Sequence, residues 1–377
     1  MNSNPPVLEW CERATCSFSA SRLGSNTICR IFDYDNCLVY KFTSNPLPSV
    51  INTLRHIARD RGTDIVIISN QKGISVGKTT HVDVRRRFQE FSDRLNDGLP
   101  YDEVIRLSII YSTATDIYRK PHTGMFTLWK EIVGGQYRYT DVQYSGDAAG
   151  RLKSGSGTGI RKKDFSNSDL LFAMNCGLPF VIPEEIFRYG NSPPLPTFRE
   201  TKWPVRQIMP PPPVSDGPIV VILVGPQGIG KSTFAQKWSE DTGMRVISQD
   251  ILRRKKKVYS EFLKEMKAID GKGVIIDNTN KDDVSRRRFV DVAISMGCKT
   301  VCCWWDVPKP LSFHMCDVRV ELGGMPVPPV AIHIYYKRME PPCPEDYTEF
   351  HHFKGLIEPE VGESGSRFEA AFEMRFN

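Results

Sequence analysis

Short apolar runs alternate with longer amphipathic stretches along most of the chain. In the first half, runs rich in β-branched residues predict strands at TICRIF, TDIVIIS, RLSIIYS and DVQYSG. Between them, apolar residues recur every three or four positions, which predicts helices at PSVINTLRHIARDRG, VDVRRRFQEFSDRL and GMFTLWKEIV. The second half predicts strands at IVVILVG, MRVIS, GVIID and KTVCCWW, with helical patterns such as STFAQKWSEDTG between them. We therefore predict an α/β protein in which mainly parallel sheets are flanked by helices.

A proline-rich segment separates the two halves. Residues 190–218 read GNSPPLPTFRETKWPVRQIMPPPPVSDGP, and prolines remove backbone donors and favour extended geometry. The chain has 377 residues, which exceeds the usual size of one core. No internal repeat relates the halves. We therefore predict two different domains at 1–190 and 218–377, joined by a linker at 191–217.

The composition is that of a globular protein, with 40% apolar and 25% charged residues. The apolar runs are too short to span a membrane, and MNSNPPVLEW lacks the order of a signal peptide. We expect an intracellular protein without a membrane partner. The ten cysteines form no CxxC pair, so we interpret them as reduced thiols, with metal ligation by Cys298, Cys302 and Cys303 as the less favoured alternative. A net charge of +6 mildly favours a polyanionic partner.

Two aspartates close the first predicted strand. Asp33 follows TICRIF directly, and the period of two in an extended chain would point Asp35 the same way. Like charges so close need a cation between them or a proton on one of them. A divalent metal together with one nucleophilic and one proton-shuttling carboxylate meets that need. An Asp-rich turn is the plainer alternative for such a pair taken alone.

Later segments add the other groups of a phosphate site. Ser69 and Asn70 end a second strand, where a hydroxyl and an amide could hold phosphate, and Lys120 in YRKPHTG could neutralise its charge. Asp147 follows another strand and could ligate a metal. Each has an ordinary alternative, as helix cap, surface charge or loop residue. Their order along the chain favours a phosphatase.

This series resembles the haloacid dehalogenase superfamily of phosphatases. ISNQKG, YRKPHTGMF, SGDAAGR and RKKDFSNSDLLFAMNCGLPFVIPEE are similar to the phosphatase domain of the polynucleotide kinase 3′-phosphatase family, which heals DNA ends. The resemblance implies a haloacid dehalogenase-like Rossmannoid domain. It also implies the following roles: Asp33 as nucleophile and metal ligand, Asp35 as proton shuttle and metal ligand, Ser69 and Lys120 on the phosphate, Asn70 on the substrate, Asp147 on magnesium, and Asp164 as a supporting partner.

One pair of residues departs from that family. Asn36 and Cys37 follow Asp35, where the family usually has Gly-Thr. Asn tolerates the left-handed backbone that Gly would adopt, whereas Cys is a weaker hydrogen-bond donor than Thr. We expect the phosphatase activity to be retained at a reduced rate.

The second half contains a phosphate-binding loop. GPQGIGKST matches GxxxxGK[ST] between a predicted strand and a predicted helix. Such a loop presents backbone N–H groups to ATP phosphates, while Lys231 reaches the β- and γ-phosphates and Ser232 ligates magnesium. The predicted ATP site comprises Gly225, Pro226, Gln227, Gly228, Ile229, Gly230, Lys231, Ser232 and Thr233.

Other strand ends suggest how an acceptor is phosphorylated. Asp250 follows MRVIS and could accept a hydroxyl proton, while Arg253, one turn later, could hold an acceptor phosphate. An N-cap Asp with a solvated basic helix face remains an equal alternative. Asp277 ends GVIID and is a candidate for the magnesium shell.

The segments SQDILR, GKGVIIDNTNKDDVSRRRFVDVA, FHMCDVR and PVPPVAIHIYYKRMEPP resemble the P-loop NTPase-like kinase domain of the same family. The resemblance implies Asp250 as the base on a 5′-hydroxyl, Arg253 on the acceptor phosphate and Arg319 as a lid arginine. Asp317 departs from the basic residue expected there. Fewer than about thirty residues precede the first predicted strand, so we expect none of the forkhead-associated domains of animal members. A repair scaffold or a ligase as partner would have to bind by another route.

Together with these features, the family resemblance implies an enzyme that uses Mg²⁺ and ATP to remove 3′-phosphates and to phosphorylate 5′-hydroxyls at DNA ends. The basic stretches 161–163 and 253–257 would guide the nucleic acid backbone. We expect a monomer that resides in the nucleus, with RNA acceptance left open. Two alternatives remain: a fused phosphatase and kinase for small metabolites, and a strand-break-binding protein with an impaired phosphatase.

Overall fold

The computed structural model describes residues 8–13, 15–19, 28–59, 63–133, 139–153, 163–188, 195–196, 207–252, 255–268, 272–356 and 363–376. The chain divides into two compact units. Unit 1 comprises Met1–Arg199, Val320–Gly324 and Glu373–Asn377, and unit 2 comprises Glu200–Arg319 and Met325–Phe372. Within the described ranges, no helix combines the length and the apolar character needed to cross a membrane.

Unit 1 is built on a seven-stranded sheet, as far as its residues are described. The strands are β1 Cys11–Arg13, β2 Cys16–Ser19, β3 Ile28–Phe32, β4 Asp64–Asn70, β5 Leu107–Ser112, β6 Asp141–Ser145 and β7 Phe180–Val181, and the helices are α1 Val50–Arg59, α2 His81–Asn96, α3 Gly124–Val133, α4 Ser168–Asn175 and α5 Pro183–Phe187. The spatial order is β1-β2-β5-β4-β3-β6-β7. β2 pairs antiparallel with β1 and β5, and the other pairs are parallel.

The central strands of this sheet are buried on both faces. All six residues of β5 are buried, as are the first six of β4, because helices cover each side of the sheet. One apolar cluster includes Leu54 of α1 and Phe88 of α2. The opposite cluster includes Trp129 of α3 and Phe172 of α4. Continuous apolar runs such as DIVIIS are what strands covered on two faces require.

Unit 2 is built on a second, fully parallel sheet. Its elements are β8 Ile219–Val224, α6 Lys231–Thr242, β9 Arg245–Ser248, α7 Gln249–Leu252, α8 Lys255–Ala268, β10 Gly273–Asp277, α9 Asp283–Ser295, β11 Lys299–Trp305, α10 Lys309–Glu321, α11 Pro329–Arg338, β12 Glu349–Phe353 and α12 Glu363–Phe372. The strand order is β12-β11-β8-β10-β9. The phosphate-binding loop therefore leaves the central strand β8, with parallel neighbours on both sides.

The prediction of an α/β fold with mainly parallel sheets is confirmed. The predicted strands correspond to β3 to β6 and to β8 to β11. The sequence analysis did not predict β1, β2, β7 or β12. The first three have only two to four residues, too few to show a clear alternation.

Part of the proline-rich segment lies outside the described residues. Its later part, from residue 207 onward, packs within unit 2. The Gln207 N–H donates to the Leu356 carbonyl at 2.7 Å, and the Trp238 indole N–H donates to the Pro210 carbonyl at 3.2 Å. This stretch is thus held against the unit that follows it.

Candidate active sites

A buried lysine organises the first site at the carboxyl ends of the strands of unit 1. Lys120 is 3% exposed, and its Nζ lies 2.6 Å from Asp33 Oδ1, 2.7 Å from Asp169 Oδ1, 2.7 Å from the Tyr144 hydroxyl and 2.9 Å from the Ile68 carbonyl. Asp33 follows β3 directly, and its own N–H donates to the Ser145 carbonyl at 2.8 Å. The nucleophile candidate is therefore fixed by both its backbone and its carboxylate.

Three carboxylates in this site could share a metal ion. One carboxylate oxygen from each of Asp33, Asp147 and Asp169 lies within 4.8 Å of the other two. Among the described residues, this is the group of acidic side chains whose spacing could hold a metal ion. Carboxylate oxygens are the preferred ligands of hard divalent cations. When the three carboxylates are ionised and Lys120 is protonated, the net charge of the four groups is about −2, which a divalent cation would neutralise. The residues present therefore fit such an ion.

The pKa values reflect this crowding of charge. Burial, opposed in part by Lys120, raises the pKa of Asp33 to about 7. Burial together with the neighbouring Asp169 and Asp33 raises the pKa of Asp147 well above its usual range. Burial alone would lower the pKa of Lys120, but the two carboxylates outweigh it and raise that pKa. A cation would favour the ionised form of both aspartates.

Gly146 allows Asp169 to enter this cluster. A Cβ atom at position 146 would lie 2.4 Å from Asp169 Cγ and 2.5 Å from its Oδ2, closer than side-chain carbons approach. Asp169 is 1% exposed, and it also accepts hydrogen bonds from the Tyr144 hydroxyl at 2.8 Å and the Ala148 N–H at 2.9 Å. The glycine before Asp147 is therefore needed sterically for the third carboxylate.

Asp35 lies outside the three-carboxylate cluster. Its Oδ1 accepts from the Phe42 N–H at 2.7 Å, and its Oδ2 accepts from Gln71 Nε2 at 2.7 Å. The same Nε2 donates to Ser69 Oγ at 3.0 Å, so one amide connects both candidate groups. Arg87 Nη1 lies 3.6 Å from Asp35 Oδ1. The two aspartates of the DYD segment are thus held by different partners.

The residues that depart from the family pattern fit the loop after Asp35. Asn36 adopts a left-handed backbone with φ 61°, as its side chain permits. Cys37 is fully buried, and its Sγ donates to the Ser145 carbonyl at 3.5 Å. Burial also raises the pKa of this thiol well above its usual range. Cys37 thus serves as a small packing residue that stays neutral.

Asn70 and Asp164 support the site through backbone contacts. Asn70 Oδ1 accepts from the Lys120 N–H at 3.0 Å, and its Nδ2 donates to the Lys120 carbonyl at 3.2 Å. Asp164 Oδ2 accepts from the N–H groups of Ala149 at 3.2 Å and Arg151 at 2.9 Å. These contacts hold the segments that carry Lys120 and Asp147. The Asn70 side chain, predicted to bind the substrate, thus hydrogen-bonds the backbone of Lys120 in this structure.

Two exposed aromatic rings flank a lysine beside these segments. Phe42 is 71% exposed and Phe165 is 95% exposed. Lys41 Nζ lies 5.0 Å from the ring centre of Phe42 and 5.3 Å from that of Phe165. Phe42 is the residue whose N–H binds Asp35, and Phe165 follows Asp164 in the chain. Exposed apolar side chains that cluster in this way are one mark of a binding surface.

The second site is the phosphate-binding loop of unit 2. Gly228 and Gly230 have φ values of 84° and 90°, which turn the loop into the N-terminus of α6. Ser232 Oγ donates to Asp277 Oδ2 at 2.7 Å, so the end of β10 meets the first turn of α6. Lys231 is 8% exposed and donates to the Pro226 carbonyl at 2.5 Å. A serine hydroxyl and a carboxylate joined in this way could belong to the ligand shell of a divalent metal ion bound with ATP.

The structure also places the other predicted residues of unit 2. Burial lowers the pKa of Lys231 to about 8, while the charges of Asp277 and Asp250 act in the opposite direction. Asp250 is exposed in α7. Arg319 is exposed in α10, one turn after Cys316, which lies against Gly228 of the loop. Arg253 lies outside the described residues, as do parts of the basic stretches 161–163 and 253–257.

The structure brings most predicted residues together and adds three that the sequence analysis missed. Asp33, Lys120 and Asp147 meet in one site, and Ser232 meets Asp277 in the other. Asp169 was missed because an aspartate in the first turn of a helix has the ordinary role of a helix-favouring acid. Gln71 could have been found, since the period of two places it on the side of Ser69. No local pattern marks Arg87 among its neighbouring arginines.

Comparison with known proteins gives matches in both halves of the chain. The protein-family model described as polynucleotide kinase 3 phosphatase matches residues 30–187, and the family model described as AAA domain matches residues 220–342. A bifunctional polynucleotide phosphatase/kinase of Schizosaccharomyces pombe is 29% identical over 311 residues, which cover 79% of this chain and 70% of that protein. A putative bifunctional polynucleotide phosphatase/kinase of Acanthamoeba polyphaga mimivirus is 28% identical over 315 residues, which cover 75% and 72%.

A third relative matches the first half alone. An uncharacterized 20.8 kDa protein of Autographa californica nuclear polyhedrosis virus is 32% identical over 168 residues, which cover 42% of this chain and 84% of that protein. Phosphatase and kinase domains of these kinds imply a divalent metal ion and ATP in general. The chain belongs to the polynucleotide kinase 3 phosphatase family and carries the phosphatase domain in its first half and the kinase domain in its second.

Proposed function

We propose that this protein is a bifunctional end-healing enzyme that removes 3′-phosphates from DNA and phosphorylates 5′-hydroxyl ends with ATP. The observation that carries the proposal is the presence in one chain of two different phosphate sites, the Asp33, Asp147, Asp169 and Lys120 cluster and the loop that ends at Ser232. Both chemistries on one position would cancel. On the two ends of a broken strand they instead produce the 3′-hydroxyl and 5′-phosphate that ligation requires.

In the phosphatase step, the Asp33 carboxylate attacks phosphorus and the bond to the sugar 3′-oxygen breaks. Asp35 gives its proton to that oxygen, so a 3′-hydroxyl leaves. Water then attacks the phosphoaspartate, Asp35 accepts its proton, and inorganic phosphate is released with Asp33 restored. Lys120 orients Asp33 and offsets its charge. Mg²⁺ held by Asp33, Asp147 and Asp169 would neutralise the phosphate when bound.

In the kinase step, backbone N–H groups of the loop and Lys231 bind the ATP phosphates. Asp250 accepts the proton of the 5′-hydroxyl as its oxygen attacks the γ-phosphorus, and ADP leaves. Ser232 and Asp277 would hold Mg²⁺. We further propose that Arg319 stabilises the transferred phosphoryl group and that Arg253 binds the acceptor phosphate.

The surroundings of the first site support a polynucleotide over a small metabolite. A phosphorylated metabolite offers little surface for stacking, whereas the exposed rings of Phe42 and Phe165 suit bases next to a 3′-phosphate. Lys41 between them suits the charged backbone. Both sites are built from residues of one chain, so a monomer suffices for this scheme. We further propose that the protein acts in the nucleus, in line with DNA ends as its substrate.

The test is to incubate the protein with Mg²⁺, ATP and an oligonucleotide that carries a 5′-hydroxyl and a 3′-phosphate, and to follow both ends. Asp33→Ala should abolish release of the 3′-phosphate, and Lys231→Ala should abolish 5′-phosphorylation, each with the other activity retained. Loss of both activities in either variant, with the fold intact by circular dichroism, would contradict two independent sites. Activity that does not fall with added salt would instead favour a small substrate.

Wild-type protein that binds strand ends without changing either terminus would support the strand-break-binding alternative. Replacing the oligodeoxynucleotide by an oligoribonucleotide in the same assay decides whether RNA is accepted.

A further inference from the structure

Gln71 links two groups of the proposed phosphatase mechanism through a single nitrogen. Its Nε2 donates to Asp35 Oδ2 at 2.7 Å and to Ser69 Oγ at 3.0 Å, and the residue is 4% exposed. A primary amide carries two N–H donors, so both bonds can be made at once. The position of the Asp35 carboxylate is therefore coupled to that of the Ser69 hydroxyl.

This arrangement depends on which way the amide faces. Rotating it by half a turn would bring Oε1 to about 2.7 Å from Asp35 Oδ2, where two oxygens without a proton repel each other. Gln71 Oε1 accepts from Arg87 Nη2 at 3.1 Å. A guanidinium can only donate, so Arg87 favours the amide orientation that presents Nε2 to Asp35.

Arg87 is placed to act on Asp35 directly as well. Arg87 is only 9% exposed, and its Nη1 lies 3.6 Å from Asp35 Oδ1. That Nη1 is buried and makes no hydrogen bond, which is costly for a charged donor. Its neighbour Arg86, by contrast, has a 62% exposed side chain and forms ion pairs with Asp83 and Glu90. The buried position of Arg87 beside Asp35 therefore indicates a role that an exposed arginine of α2, such as Arg86, could not perform.

We propose that Gln71 and Arg87 are positioning residues that aim the Asp35 carboxyl group at the leaving oxygen of the substrate. This inference rests on the proposed function. In the step concerned, the Asp33 oxygen bonds to phosphorus, the bond from phosphorus to the sugar oxygen breaks, and the proton of Asp35 passes to that oxygen. Misplacing Asp35 slows this transfer because a sugar alkoxide is a poor leaving group. A p-nitrophenolate leaves without a proton, so it needs Asp35 far less.

The experiment compares two substrates in the first turnover at saturating Mg²⁺. The full-length wild type, Gln71→Met, Arg87→Met and Arg87→Lys are mixed with either a 3′-phosphorylated oligonucleotide or p-nitrophenyl phosphate, and the burst rate is measured for each. Arg86→Met is the matched control on the same helix. Kinase activity and thermal melting of each variant report whether the chain is folded.

We expect Gln71→Met and Arg87→Met to lower the burst rate on the oligonucleotide by about 10- to 100-fold. This loss is part of the total acceleration that a general acid usually provides. The p-nitrophenolate burst should fall by less than about threefold, because its leaving group requires no proton. Arg87→Lys should recover most of the oligonucleotide rate, since an ammonium can still donate to Gln71 Oε1. Arg86→Met should match the wild type on both substrates.

Equal losses on the two substrates would overturn the inference, because they would show a general effect on phosphate binding or packing. Unchanged oligonucleotide rates in the Gln71 and Arg87 variants would overturn it too. In both cases the proposed function would stand. Wild type that turns over p-nitrophenyl phosphate but leaves the oligonucleotide intact would instead overturn the proposed function, and this inference with it.

Discussion

Adding one methyl group at position 146 should remove the phosphatase activity and leave the kinase active. Gly146→Ala puts a carbon 2.4 Å from Asp169 Cγ, 2.5 Å from Oδ2 and 2.7 Å from Cβ. Non-bonded carbons prefer about 3.5–4.0 Å, so Asp169 has to move by roughly 1 Å or more. Asp169 is packed in the interior at 1% exposure, which leaves it few places to go.

The displacement acts on stability and on chemistry. Forcing a methyl group into a packed interior costs about 1–3 kcal/mol of unfolding free energy. Moving the carboxylate stretches its bonds to Lys120 at 2.7 Å and to Ala148 at 2.9 Å, and removes one of the three metal-binding groups. A misplacement of about 1 Å in an active site costs on the order of 100-fold in rate. We therefore expect at least that loss in phosphate release from a 3′-phosphorylated oligonucleotide.

The assay follows both ends of the oligonucleotide in one sample, with thermal melting in parallel. Gly217→Ala is the control, because a Cβ there meets nothing within 4 Å. It should retain both activities. A folded Gly146→Ala protein with more than half of the wild-type phosphatase rate would show that the position of Asp169 is not needed, and the proposed three-carboxylate metal site would be wrong.

Three further outcomes follow from the geometry. Gly228→Ala should abolish 5′-phosphorylation and spare the phosphatase, because its Cβ would lie 2.8 Å from Cys316 Sγ at a φ of 84°; retained transfer of labelled phosphate would contradict this. Burial raises the pKa of Asp33 from 3.8 to about 7 and that of Asp147 well above its usual range, so metal-free protein should lose stability as the pH rises from the ordinary carboxyl range to above about 7. The gain in melting temperature from Mg²⁺ over EDTA should thus be larger at pH 8 than at pH 5.5, and an equal gain would argue against carboxylate ligation. Cys37 should resist iodoacetamide in the folded protein and react after unfolding, since burial keeps its thiol neutral; mass spectrometry that finds it alkylated in the native state would contradict the buried position.

The amino-acid sequence determined the fold class and the cores of both sites. Continuous apolar runs are required where helices cover both faces of a sheet, so the central strands were readable from hydrophobic pattern alone. Residues at strand ends, such as Asp33 and Asp277, were readable because parallel strands present their carboxyl ends at one edge. The glycine-rich loop before Lys231 was readable because its spacing reflects local backbone geometry.

Only the tertiary structure decided which side chains meet across large separations in the chain. Lys120 binds Asp169, 49 positions away, and Arg87 binds Gln71, 16 positions away, because packing of α2 and α4 against the sheet brings them together. No local periodicity encodes such distances. The structure also decided that Asp35 pairs with Gln71 instead of joining the metal-binding cluster. Alternation along a strand would point Asp35 the same way as Asp33, but the chain turns after β3, so this rule no longer applies there.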